Sequence, residues 1–234
     1  MITAVTAQNT VGVSDVHVIP TATVAAQLDA VLGDFTVAAV KTGMLATSTL
    51  VELVADRAAA GDLPRLVVDP VLVSATGHRL LEPDAIAVYR ERLLPHALIA
   101  TPNLEEAAVL VGRELTTIDD ALAAAHELAS LGTAIVVVKG GHLTGDESID
   151  LVVTREGDEH RLVADRIATP NTHGTGCTFA AATAAGLATG LEPLDALQQA
   201  KRYVTRAIAG AVSWRLGAGN GPLDHLDFGG TSAA

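Results

Sequence analysis

His173-Gly174-Thr175-Gly176-Cys177-Thr178 runs directly into the alanine-rich stretch Phe179 to Ala188. Two glycines around a small hydroxylated residue allow a tight turn. A helix beginning at once then aims its unpaired N–H groups and the positive end of its dipole at one point. Such a loop is an anion hole. Cys177, the chain's only cysteine, stands on its rim, where a helix N-terminus is expected to lower a thiol's pKa and favour the thiolate. An anion hole beside a base is what phosphoryl transfer to an alcohol requires. A lone cysteine is more often an inert buried thiol; the Gly-Thr-Gly before it reverses that expectation.

Other polar residues follow apolar runs in the same manner: Gln8-Asn9, Lys41-Thr42-Gly43-Met44, Asp69-Pro70-Val71, Thr101-Pro102-Asn103-Leu104-Glu105-Glu106 and Lys139-Gly140-Gly141-His142. Each has two readings. Asn103 with Glu106 three residues on is either a helix cap of the capping-box kind or a pair one turn apart holding Mg²⁺ or its waters. Asp69 is either a strand-end cap or a carboxylate near magnesium. Lys139 must leave the core at a strand end, where a lysine is ordinarily solvated. Met44 is more often core than ligand wall, and Gln8 and Asn9 are turn formers or amide partners for a heterocycle.

These residues need a scaffold that brings them together. Strands are expected over Ile2–Ala7, Thr36–Val40, Arg65–Asp69, Leu98–Thr101, Ala134–Lys139, Asp150–Thr154 and Arg161–Ile167. Helices are expected over Ala22–Leu32, Thr49–Ala60, Pro83–Leu94, Asn103–Val111, Asp119–Leu131, Cys177–Thr189 and Pro193–Leu216. Leu66-Val67-Val68 and Ile135-Val136-Val137-Val138 are continuously apolar, as strands covered on both faces are. The alternation implies an α/β fold with a doubly wound, mostly parallel sheet flanked by helices. Arg155-Glu156-Gly157-Asp158 marks an antiparallel edge hairpin. In such sheets ligands bind beyond the carboxyl ends of the strands, which is where the polar residues fall. No repeat or composition break divides residues 1–234, so one domain is expected, with the Gly-rich segment from Gly217 a surface loop with a frayed end.

The chain of 234 residues carries a formal charge of −12 and is 49% hydrophobic but only 3% aromatic, so the core is aliphatic. Its acidity argues against nucleic acid or an anionic membrane as partner. No run reaches membrane-span length, no signal peptide is visible, and one cysteine forms no internal disulfide, so a cytoplasmic location is expected. His17, His78, His96 and His160 show no metal-ligand spacing.

Taken together, the chain resembles the hydroxymethylpyrimidine/phosphomethylpyrimidine kinases of thiamine biosynthesis, within the ribokinase-like superfamily. The matching blocks are Thr3–Thr10, Lys41–Leu45, Val68–Val71, Arg79–Leu81, Thr101–Ala107, Val138–His142, Thr172–Thr178 and Gly219–Leu223. They run the whole length in order, and a cysteine at the anion hole, where related sugar kinases carry an aspartate, is the discriminating feature. The resemblance implies ATP and Mg²⁺ as cofactors and a small-molecule substrate, the pyrimidine and then its monophosphate. It implies Cys177 as catalytic base, with the backbone of Gly174, Thr175 and Gly176 holding the transferring phosphoryl group. Asn103 and Glu106 would form the magnesium/phosphate element with Asp69 nearby, Lys139 would neutralise nucleotide phosphates, and Gln8, Met44 and Val71 would line the pyrimidine pocket. A homodimer is common among such relatives.

One departure stands out. The family opens with a further strand, a Gly-rich loop and a helix carrying a substrate-binding aspartate, and none of these precedes Met1. Because the downstream motifs are intact, the expectation is a start codon assigned too late, and a chain less stable or less active than an upstream-extended form. A pyridoxal or pyridoxine kinase is the enzymatic alternative. A catalytically weak vitamin-binding homologue is the non-enzymatic one.

Overall fold

A computed structural model describes residues 1–72, 81–141 and 145–228. Strands β1 (Ala4–Gln8) and β2 (Val13–Val18) come first, followed by helix α1 (Thr21–Leu32). Next are β3 (Lys41–Thr42), α2 (Ser48–Ala59), β4 (Val67–Val68) and α3 (Ala85–Val88), which continues as a π turn (Tyr89–Leu93) and a 3₁₀ turn (Leu94–His96). Then follow β5 (Ile99–Ala100), α4 (Leu104–Val111), α5 (Ile118–Ser130), β6 (Ile135–Val138), β7 (Glu147–Thr154), β8 (Glu159–Asp165), α6 (Thr175–Ala188) and α7 (Pro193–Gly210).

The main sheet has the order β3-β4-β5-β6-β7-β8. β3 to β6 run parallel, and β7 and β8 form the antiparallel edge hairpin that the sequence announces. β4, β5, β6 and the Asp150–Val153 part of β7 are buried on both faces, so neighbouring residues along each go to opposite layers. Val68, Ala100, Val136, Val138, Leu151 and Val153 join the layer beneath α2 to α5. Val67, Ile99, Val137 and Val152 join the layer beneath α6 and α7. Period-2 geometry turns an unbroken apolar run into a two-sided core.

Three expectations are corrected. The first strand is not in the main sheet. β1 pairs antiparallel with β2 in a separate two-stranded sheet, because Asn9 closes a tight turn, its Oδ1 accepting from the N–H groups of Val11 and Gly12. The strand placed at Thr36–Val40 enters the ladder only at Lys41–Thr42, although Val40 already exchanges backbone bonds with Pro64 and Val67. The segment after α7 is a docked strap: Leu223 and Asp224 are buried, and Asp224 N–H donates to the carbonyl of Ala207 at 2.9 Å. His78 and His142, with Arg79 and Leu80, lie outside the described residues.

Candidate active site

Four successive parallel strands deliver polar side chains to one edge. Lys41 and Thr42 end in β3, Asp69 follows β4, Thr101 follows β5 and Lys139 follows β6. Asp69 is the centre of this edge. Its side chain is almost fully buried, with Oδ1 3.0 Å from Lys139 Nζ and Oδ2 3.1 Å from Lys41 Nζ. Thr101 Oγ1 donates to Oδ1 at 3.2 Å. Burial opposes the charge of Asp69, but the two ammonium groups outweigh it and hold the carboxyl below its ordinary value. Lys139 is the mirror case: burial works against its charge, and Asp69 and Glu106 overcome that and raise its pKa. The reading of Lys139 as a solvated strand-end lysine is therefore wrong. The acids of the edge recruit its amine inward, and Lys41, to which the sequence reading gave no role, is recruited with it.

Above Asp69 lies the loop before α6. Gly174 caps the helix with φ of 84°, a left-handed conformation that favours glycine. Gly176 meets a second demand: a Cβ there would come within 2.9 Å of Lys139 Nζ. Thr175 N–H is taken by the carbonyl of Thr172, and Thr178 N–H by that of Gly174. The amides left open at the helix start, among the described residues, are those of Gly176 and Cys177. They face a site whose cations sit beside them, which is the electrostatic requirement for binding phosphate oxygens. The helix starts two residues earlier than expected, so Cys177 is its third residue rather than its first.

Cys177 is exposed at this edge, yet its thiol pKa is raised. The protein around the sulfur removes water first, Asp69 adds repulsion second, and Lys41 and Lys139 pull the other way. The shift runs against the thiolate-favouring one expected from the helix N-terminus, because desolvation first and the neighbouring Asp69 second disfavour the anion.

Asn103 and Glu106 form a complete capping box. Asn103 Oδ1 accepts from Glu106 N–H, and Glu106 Oε2 accepts from Asn103 N–H, both at 2.8 Å. The structural reading of this pair holds. Glu106 is also buried, and its pKa rises to about 7, chiefly through burial and, secondarily, Asp69, while Lys139 and the Asn103 amide oppose. Asp69 and Glu106 are therefore electrostatic neighbours with Lys139 acting on both. Among the described residues no group of three or more His, Cys, Asp or Glu could cage a metal ion. Mg²⁺ commonly uses one or two carboxylates, several waters and substrate phosphates. The two carboxylates fit that mode and not an all-protein site.

Of the residues expected to meet the pyrimidine, Met44 and Val71 are half-buried and follow Lys41 and Asp69 in the chain, with Met44 O accepting from Thr3 Oγ1 at 2.7 Å. Gln8 is exposed and lines a depression made by the β1–β2 turn alone. Among the described residues it makes no contact with the charged centre. A larger groove, about 770 Å³, runs from Cys177 and Thr178 between α6 and α7 past Tyr203, Arg206 and His225. It lies along the helices rather than over the strand ends.

One feature of the edge escaped the sequence reading altogether. Lys201 of α7 donates to Asp150 Oδ2 of β7 at 2.8 Å and to Ser148 Oγ at 3.1 Å. Asp150 Oδ1 accepts from Gly140 N–H at 2.9 Å, which fixes the turn after Lys139. The available signal was a lysine on the otherwise apolar stripe Ala196, Leu197, Ala200, Val204.

Comparison with known proteins gives the family. The sequence pattern described as phosphomethylpyrimidine kinase matches residues 1–224. The chain belongs to the phosphomethylpyrimidine kinase family. A hydroxymethylpyrimidine/phosphomethylpyrimidine kinase of Synechococcus elongatus is 48% identical over 226 residues, covering 96% of this chain and 84% of that protein. A thiamine biosynthesis bifunctional protein of Geobacter sulfurreducens is 43% identical over 226 residues, 97% of this chain but 46% of its own length. The chain thus spans less than half of that bifunctional relative. A pyridoxal kinase of Bacillus subtilis, solved as an ADP complex, superposes with a TM-score of 0.86 at 38% identity, covering 95% of this chain and 83% of that one. This kinase family accounts for the fold, and no helix among the described residues is long and apolar enough to cross a membrane.

Proposed function

We propose that this chain transfers the γ-phosphoryl group of ATP to the hydroxymethyl group of 4-amino-5-hydroxymethyl-2-methylpyrimidine, and then phosphorylates the resulting monophosphate. One observation carries the reading: Cys177 and two open amides at the start of α6 stand against the Asp69–Lys41–Lys139 centre. The alcohol oxygen bonds to phosphorus, the bond to the ADP leaving oxygen breaks, and the alcohol proton passes to the Cys177 thiolate. Gly176 and Cys177 N–H groups and the Lys139 amine stabilise the equatorial charge, and a loose transition state asks little more of the protein than placement. Because the thiol is raised, the competent thiolate fraction grows with pH. Mg²⁺, held by Asp69 and Glu106 together with nucleotide phosphates, would neutralise charge on the transferring group. The second transfer starts from a phosphate oxygen and needs no alcohol base.

Gln8, Met44 and Val71 remain the proposed pyrimidine contacts. The protein is read as cytoplasmic, as one domain, and as able to pair into a homodimer. The pyridoxal kinase likeness favours one second reading, turnover of pyridoxal. The test is an assay with ATP, Mg²⁺ and each vitamin in turn, with products read by mass spectrometry. Mono- and diphosphorylated pyrimidine establish the proposal, whereas pyridoxal phosphate alone replaces it.

A further inference from the structure

Lys41 takes no step in the transfer described above, although its amine meets the same carboxylate as that of Lys139. Lys139 Nζ lies 3.0 Å from Asp69 Oδ1, and Lys41 Nζ lies 3.1 Å from Oδ2. Two ammonium groups against one carboxylate leave one positive charge over. Glu106, the other acid of this edge, has its pKa pushed up to about 7, chiefly by burial, and so compensates only in part near neutrality. Both lysines keep a path to solvent, with side chains 19% and 14% exposed for Lys41 and Lys139.

The two amines stand at different walls of the site. Lys139 Nζ is 2.9 Å from where a Cβ on Gly176 would be, beside the open amides of the anion hole. Lys41 Nζ is 3.1 Å from where a Cβ on Gly43 would be, next to Met44 on the acceptor side. β3, which carries Lys41, also packs against α6, the helix of Cys177. Burial and Asp69 raise the Cys177 thiol, and of the two cations that oppose them Lys41 acts more strongly than Lys139.

The second transfer brings a new demand to the acceptor side. Its attacking atom is an oxygen of a phosphomonoester, which must reach the in-line position that the alcohol oxygen held at Cys177. That oxygen bonds to the γ-phosphorus, the bond to the ADP oxygen breaks, and the diphosphate ester and ADP leave. The alcohol arrives uncharged, whereas a phosphomonoester carries about −1.5 to −2 at neutral pH. Lys139 and the amides are engaged with the transferring group, so this charge needs a separate cation.

We propose that Lys41 is the specificity-determining residue for the second transfer: its amine binds the phosphate of the pyrimidine monophosphate. Asp69 then holds two amines apart, one for each phosphate. This rests on the kinase reading above and extends it to the step for which Cys177 has no use.

The test compares Lys41→Met, which removes the charge, with Lys41→Arg, which keeps it. Asp69 retains Lys139 and Thr101 in both, so melting curves should show folded protein. Were Lys41→Met to unfold, Lys41→Gln, which can still donate to Asp69, carries the same comparison. Calorimetric titration without ATP reads affinity directly. In Lys41→Met the monophosphate should bind about 10- to 100-fold more weakly and the alcohol within about twofold of the parent, the difference made by one charge-assisted hydrogen bond. KM for the monophosphate should rise in step. On the alcohol kcat should fall without a change in KM, and higher pH should restore it, because Lys41 favours the thiolate. Lys41→Arg should recover most of the monophosphate affinity. Equal weakening for both acceptors, or none for the monophosphate, overturns the proposal and leaves the kinase reading in place. A parent that neither binds nor phosphorylates the pyrimidine and its monophosphate removes both.

Discussion

At one end of the main sheet β7 and β8 pair through seven residue couples. At the other, β3, β4 and β5 contribute two residues apiece. Each end carries a buried lysine–carboxylate arrangement, and the two are built differently. Near β7 one lysine meets one carboxylate, and the second oxygen of Asp150 is taken by Gly140 N–H. Near β3 and β4 one carboxylate is shared by two lysines, one against each oxygen. The first arrangement is closed and joins α7 to the sheet. The second is left with spare positive charge and spare hydrogen-bonding capacity, as a site that must accept and release polyanions requires. A long ladder tolerates a closed pair as an accessory; short strands depend on the open one to keep their ends together.

Breaking the open arrangement should do the most damage. Asp69→Asn leaves Lys41 and Lys139 buried without their anion, which typically costs about 3–5 kcal/mol, so thermal melting should fall sharply and turnover should be lost. A variant that melts and turns over like the parent would refute the contrast. Cys177→Ala probes chemistry without charge. The first phosphorylation should drop by roughly 10²–10⁴-fold while the second stays within a few-fold, measured by separate assays on the two substrates.

Lys201→Met tests the closed arrangement. Stability should fall by about 3 kcal/mol, the low end for removing one partner of a buried pair, because Gly140 still serves Asp150. Denaturant titration would measure that loss, and kcat per folded molecule should be unchanged. A kcat loss at Lys201 matching that at Asp69 would erase the distinction between the two ends.

Glu106→Gln sharpens the comparison through pH. Burial, reinforced by Asp69, lifts Glu106 to about 7, against about 4.3 for an unfolded chain. The folded protein therefore binds the extra proton between these values. That stabilisation is complete below about 4.3 and is lost as pH rises through about 7. Glutamine keeps the cap and cannot ionise, so its melting temperature should decline less between pH 5 and pH 8. Parallel melting curves would show that Glu106 is not the titrating group. The smallest effect is expected far from both ends: Thr117→Ala removes the cap of α5, worth about 1 kcal/mol, and should leave kinetics untouched.

Much of this was legible in advance because it rests on local chemistry. The unbroken apolar run Ile135–Val138 announces a doubly covered strand, Arg155–Asp158 a turn, and Gly174–Cys177 a helix start. β2 was missed because Ser14, Asp15 and His17 break its apolar residues into isolated valines with one half-exposed face. The inward turn of Lys139 was hidden because its partner lies 70 residues away, and the Lys201–Asp150 pair because its members are 51 apart. The direction of the Cys177 shift was misread for the same reason. The helix dipole is written in the adjacent residues, whereas Asp69 and the surrounding burial are not.

The strap after α7 carries a consequence for how the molecule is made. Gly219 N–H donates to Thr10 Oγ1 across 209 positions, and His173 N–H donates to Gly221 O, tying the anion-hole loop to the same strap. Such long loops close late, since their entropy must be met before the contacts form. During synthesis from the N-terminus, the sheet can assemble while the phosphate-binding loop still lacks its clamp. Enzymatic competence therefore waits until the strap itself has left the ribosome and docked.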